Sequence, residues 1–154
     1  MNDIRKSAHV AFPIDDVFDL VEAVEEDPEF LPWCAVATVP SRNDTEVSAR
    51  ITVGHGNLHF DFVTRNPIRR PEFMAIHPEK GPFRCIEGDC HLSRLGVDAC
   101  KIEFALRYEL ENPLIAALAG PVFRQMVDTL VDAFVRRADQ VHGGQAAAHP
   151  QAPT

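Results

Sequence analysis

Cys100-Lys101-Ile102-Glu103-Phe104-Ala105-Leu106-Arg107-Tyr108-Glu109-Leu110, followed at once by Glu111-Asn112-Pro113, sets the architecture of this chain. Cys100, Ile102, Phe104, Leu106, Tyr108 and Leu110 alternate with Lys101, Glu103, Ala105, Arg107 and Glu109, the pattern of a half-buried antiparallel strand with one wet face. The period then changes. Asn112 is a good helix N-cap and Pro113 a good first helical residue. From there Leu114, Leu118, Val122, Met126, Leu130 and Phe134 recur at helical spacing. A second row runs Ile115, Ala119, Phe123, Val127 and Val131. So wide an apolar stripe fits burial on a concave surface. A helix from Leu114 to Val141 spans roughly 42 Å at about 1.5 Å per residue. A strand from Ala99 to Glu111 spans roughly 43 Å at about 3.3 Å per residue. The matched lengths predict one long helix lying along a curved antiparallel sheet.

Upstream, the same periods recur. Ile4 to Phe12 alternates, with Ala8, Val10 and Phe12 on one face. Pro13 opens a helix over Ile14 to Glu25, whose apolar side carries Val17, Phe18, Leu20, Val21 and Val24. The acids Glu22, Glu25, Glu26 and Asp27 read as a solvated face. Thr45–Val53 and Leu58–Asn66 are strands joined by the turn signal Gly54-His55-Gly56-Asn57, and Phe73–His77 and Arg84–Arg94 are further strands. Between the first helix and the sheet lies Asp27-Pro28-Glu29-Phe30-Leu31-Pro32-Trp33-Cys34. Pro32 forbids a long helix here and extends Leu31. The segment is an apolar connector that either plugs the core or rims a ligand cavity. Pro121, after Gly120, implies a kink in the last helix or a separate turn over Leu114–Ala119.

That connector, with Phe62-Val63-Thr64-Arg65-Asn66, Gly81-Pro82-Phe83-Arg84 and Ala99-Cys100-Lys101-Ile102-Glu103-Phe104 in this order, resembles the START-like family of coenzyme Q-binding proteins and RatA-type ribosome association toxins. The resemblance covers Ile4 to Val141, and Phe-Leu-Pro-Trp-Cys is its most specific element. It implies an α+β helix-grip fold, a curved antiparallel sheet wrapped around a long C-terminal helix in the order β-α-α-β-β-β-β-β-β-α. Asp27 departs from the pattern where an aromatic residue is common, and Cys90 where a tryptophan often stands. Both departures bear on the shape of the cavity lining.

The 154 residues form one domain, expected over residues 1–142 with a disordered tail over 143–154. A net charge of −8 disfavours generic nucleic-acid binding. Four cysteines, no secretory leader pattern and no apolar run near the roughly 20 residues of a bilayer span point to a reduced cytoplasmic setting, with peripheral contact at an inner membrane surface as an option. Cys85 and Cys100 are expected as buried thiols. No nucleophile elbow, phosphate loop or dinucleotide fingerprint occurs, and neither His55 with His59 nor Cys85, Cys90 and His91 matches a metal site. An enzyme is not expected, nor a metal or cofactor beyond a bound lipid.

The expected cavity is lined by Phe30, Leu31, Trp33, Phe62, Phe83, Leu118, Val122, Phe123, Met126 and Leu130. Glu87 faces either into it, as a polar anchor, or outward as an ion-pair candidate. Arg65, Arg69 and Arg70, with Arg136 and Arg137, form either solvated strand ends or a contact to RNA phosphate or an anionic lipid surface. The coenzyme Q-binding branch implies ubiquinone or a related isoprenoid quinone as ligand, in support of respiratory electron transport. The toxin branch implies binding to the large ribosomal subunit and a block to subunit association. An aromatase or cyclase on the same fold is the third option; it needs polar groups converging in the cavity, and the inward faces offer few.

Overall fold

The computed structural model describes residues 2–55, 57–80 and 83–143. Seven antiparallel strands form one sheet in the order β1-β7-β6-β5-β4-β3-β2. They are β1 (Asn2–Val10), β2 (Cys34–Arg42), β3 (Glu46–His55), β4 (Leu58–Arg69), β5 (Phe73–Lys80), β6 (Phe83–Gly96) and β7 (Ala99–Leu110). Helix α1 (Ile14–Glu22) and a 3-10 segment (Val24–Glu29) separate β1 from β2, and α2 (Pro113–Ala138) closes the chain before a wide turn over Asp139–Gly143. The element order is the expected one. The expected tail, apart from Gly143, lies outside the described residues, as do Gly56, Gly81 and Pro82.

The long strand alternates as its sequence demands. Cys100, Ile102, Phe104, Leu106, Tyr108 and Leu110 are all buried, while the residues between them keep contact with solvent. Register shifts interrupt β2, β5 and β6, and such bulges bend a sheet. Helix α2 packs on β1 and β7 and touches α1. Asn112 caps it, its Oδ1 accepting from the Ile115 amide at 2.9 Å. By length and composition this helix could cross a membrane. Here Ala119, Phe123, Val127, Val131 and Ala138 are buried in the core instead.

Pro121 does not divide the helix, which runs unbroken from Pro113 to Ala138. The proline is exposed, and so is Ala117, whose carbonyl loses its donor. Water can satisfy that group, which is why the interruption is tolerated.

One residue of the acidic run is buried rather than solvated. Glu22 is buried and pairs with Arg70 from the end of β4 and with Arg42 of β2 at 3.7 Å. It ties α1 to the sheet. Glu25 and Glu26 keep the expected exposure and pair with Arg42 and Arg137.

Candidate functional site

A cavity of about 170 Å³ lies between the concave face of the sheet and α2. Its walls come from alternate residues of β3, β4, β5, β6 and β7 and from one face of α2. One end is aromatic. Phe123 sits 5.0 Å from Phe83 and 5.4 Å from Phe62, measured between ring centroids, and Phe62 stacks on Phe83 at 5.2 Å. Trp33 is buried on the rim, with its indole Nε1 donating to Thr129 Oγ1 at 3.1 Å. That bond fixes the connector to α2.

Of the expected lining residues, Trp33, Phe62, Phe83, Phe123, Met126 and Leu130 border the cavity. Phe30, Leu31, Leu118 and Val122 do not. Leu31 is fully buried core, and Phe30 packs edge-on against Phe134 at 5.1 Å under the Arg137 guanidinium. Leu118 is 47% exposed. Helical phase explains the last two misses. A row at i, i+4 drifts about 40° per step, so four steps back from Phe134 Leu118 lies roughly 160° away.

Glu87 is not a cavity group. It is exposed on the outer face and pairs with Arg107. Straight alternation from Phe83 would carry Cys85 and Glu87 inward. A register shift between Phe83 and Cys85 inverts the pattern, so Ile86, Gly88 and Cys90 face in. For the same reason Cys85 is an exposed free thiol, whereas Cys34, Cys90 and Cys100 are buried and free.

The arginine cluster is tied down. Arg65 pairs with Glu46 at 3.6 Å and Glu79 at 3.7 Å, and Arg70 with Asp19 at 3.1 Å and with Glu22. Arg69 lies over the Phe73 ring at 5.5 Å. Arg137 pairs with Glu26 and Glu29, while Arg136 is exposed. Arg65, Arg70 and Arg137 are thus each paired with carboxylates, while Arg69 and Arg136 meet none among the described residues.

The polar groups that do reach the cavity are Asp27, Thr64 and Asn66. Asn66 and Thr64 are buried on the inward face of β4. Oδ1 of Asp27 and Oδ1 of Asn66 are both shut off from solvent without a hydrogen-bond partner among the described residues. Burial raises the Asp27 carboxyl well above the ordinary carboxylate range, and the charges of Glu25 and Glu26 push the same way. Burial likewise pushes the adjoining Cys34 thiol up to about 12, with Asp27 adding to the effect. Such a thiol is a poor nucleophile. No cluster of metal-ligating side chains occurs among the described residues.

The model of the polyketide cyclase/dehydrase and lipid transport family matches residues 10–135. The chain belongs to that family. It is 39% identical to the ribosome association toxin RatA of Pseudomonas aeruginosa over 91% of this chain and 97% of the relative. It is 22% identical to the mitochondrial coenzyme Q-binding protein of Dictyostelium discoideum, over 86% of this chain and 66% of that one. A START superfamily protein from Mycobacterium smegmatis superposes with a TM-score of 0.76 at 17% identity, covering 90% of this chain and 98% of that one. The family's grip architecture is the one described above.

Proposed function

We propose that the protein binds a small apolar molecule in this cavity and does not transform it. The observation that supports the reading is the lining: rings and aliphatic side chains around a preformed space, with few polar groups. Among the described residues that line the cavity, no thiol or hydroxyl hydrogen-bonds to a side-chain base. The volume slightly exceeds the ~150 Å³ engineered cavity that stays dry and takes benzene. An isoprenoid quinone, the class that the name of the Dictyostelium relative suggests, would lodge its ring here and leave its tail to pass outside. Delivery of such a ligand calls for brief contact with a membrane surface from the cytoplasmic side. The exposed Leu114 and Leu118 on the first turns of α2 are suited to it.

Native mass spectrometry of protein purified from its own host tests this reading. A co-purifying isoprenoid quinone or similar lipid supports it. An empty protein whose Trp33 fluorescence does not respond to a short-chain quinone refutes it.

Ribosome association is the second reading, favoured by the 39% identity to RatA along nearly the whole chain. With Arg65 and Arg70 engaged in ion pairs, a ribosomal contact would draw on Arg69, Arg136 and other surface. Sucrose-gradient profiles with added protein test it. A shift from joined ribosomes to separate subunits, lost on Arg136→Glu, supports it. An unchanged profile removes it.

A further inference from the structure

The cavity has a polar end. Asn66 lies toward the end of β4 that meets α1, because Arg70, four residues on, pairs with Asp19 and Glu22 of that helix. Asp27 follows α1 directly in the 3-10 segment. Phe62, four residues before Asn66 on the same face, belongs to the aromatic end roughly 13 Å away along the strand. Each orphaned oxygen is a hydrogen-bond acceptor held in an apolar enclosure. Leaving such a group unmet is costly, so native proteins keep few of them.

We propose that the cavity selects a neutral ring compound bearing a hydroxyl group, of the phenol or hydroquinone type, whose O–H donates to Asn66 Oδ1 while its oxygen accepts from the Asp27 carboxyl. The inference rests on the reading of the cavity as a binding site. Burial and the neighbouring Glu25 and Glu26 favour the protonated Asp27 carboxyl, and only that form can donate. An anionic head group finds no cation to meet it: the described lining holds no Lys, Arg or His, and Arg42 and Arg137 nearby are already paired with Glu25 and with Glu26 and Glu29. An ammonium head group would need three acceptors and full compensation for lost hydration. A ketone or ether oxygen would leave Asn66 Oδ1 unmet, so of the two redox forms of an isoprenoid quinone this end would hold the hydroquinone.

The test uses the full chain and a size-matched series: 4-ethylphenol, 4-ethyltoluene, 4-ethylbenzoate and 4-ethylbenzylamine. Affinities are read from Trp33 fluorescence and calorimetry. The phenol should bind about tenfold or more tighter than the toluene, which carries a methyl group in place of the hydroxyl. Asn66→Leu and Asp27→Leu should each shrink that preference to about threefold or less, with toluene binding unchanged or improved. Equal binding of phenol and toluene to the natural protein overturns this inference and leaves the apolar-cavity reading intact. Preference for the benzoate or the benzylamine also overturns it. Failure of every compound defeats the cavity reading itself. The ligand series on the natural protein decides the matter even where a variant does not fold.

Discussion

Asp27→Asn changes the polar end of the cavity while conserving its shape, and it has a signed consequence for stability. An ordinary aspartate titrates near 3.8, and burial, with Glu25 and Glu26, raises Asp27 well above that in the folded protein. Between 3.8 and the folded value, the folded chain holds a proton that the unfolded chain has released. Stability is therefore full below 3.8, falls as pH rises through that window, and levels off above the folded value. One proton limits the slope to about 1.4 kcal/mol per pH unit. For a chain of this length that is roughly 3–6 °C in melting temperature per unit. Glu25 works in the opposite direction. Its hydrogen bonds to Arg42, both 2.8 Å, lower its folded value below 4.5, so its contribution is lost as pH falls. Asn at position 27 keeps the Glu25–Arg42 pair, so the difference between the two melting profiles isolates Asp27. The variant should gain on the natural protein as pH rises from about 4 to about 8. Parallel profiles across that range would mean that Asp27 is an ordinary solvated carboxylate, and the polar end would lose its donor.

Phe123→Ala should cost about 3–5 kcal/mol in denaturant titrations, because Phe60, Phe62, Phe83 and Tyr108 all lean on this ring. It should also shift ligand preference to larger rings; a loss under about 1 kcal/mol contradicts the packing. Trp33→Phe and Thr129→Val each remove one hydrogen bond between the connector and α2 and should cost about 1 kcal/mol, with a double-mutant cycle showing that the losses are shared. Glu22→Ala removes a buried carboxylate but leaves Arg42 paired with Glu25 and Arg70 with Asp19, so it should cost about 1–2 kcal/mol in the same assay, and a loss above about 4 would mean that an arginine is left stranded in the core.

The sheet and its gripping helix were legible because each follows one period over a long stretch. The inward row of β7 holds for six alternate residues, and the stripe of α2 for five turns. Side-chain direction was lost wherever a single residue breaks the count. The bulge after Phe83 adds no turn signal to the sequence, yet it sends Cys85 and Glu87 outward and brings in Ile86 and Cys90. The acidic run misled for a different reason. Whether Glu22 is wet depends on Arg70, which lies 48 positions downstream and meets it only once β4 has paired. Composition near residue 22 carries no trace of that partner.

The cavity shows how fold and function separate in this chain. The alternation that builds the walls is satisfied by many apolar side chains, so it leaves the chemistry of the interior unspecified. That chemistry is carried by residues that break the local rule. Asn66 is a polar residue at an inward strand position, and Asp27 is an acid in a segment that closes over the core. Asp27 and Cys90, the two departures from the pattern of START-like sequences, both line the space. An inward polar residue with no partner in its own protein lowers stability. Here the two orphaned oxygens belong to residues that line a space of about 170 Å³. Selection among ring compounds at that end, rather than general greasiness, would distinguish this cavity from a packing defect.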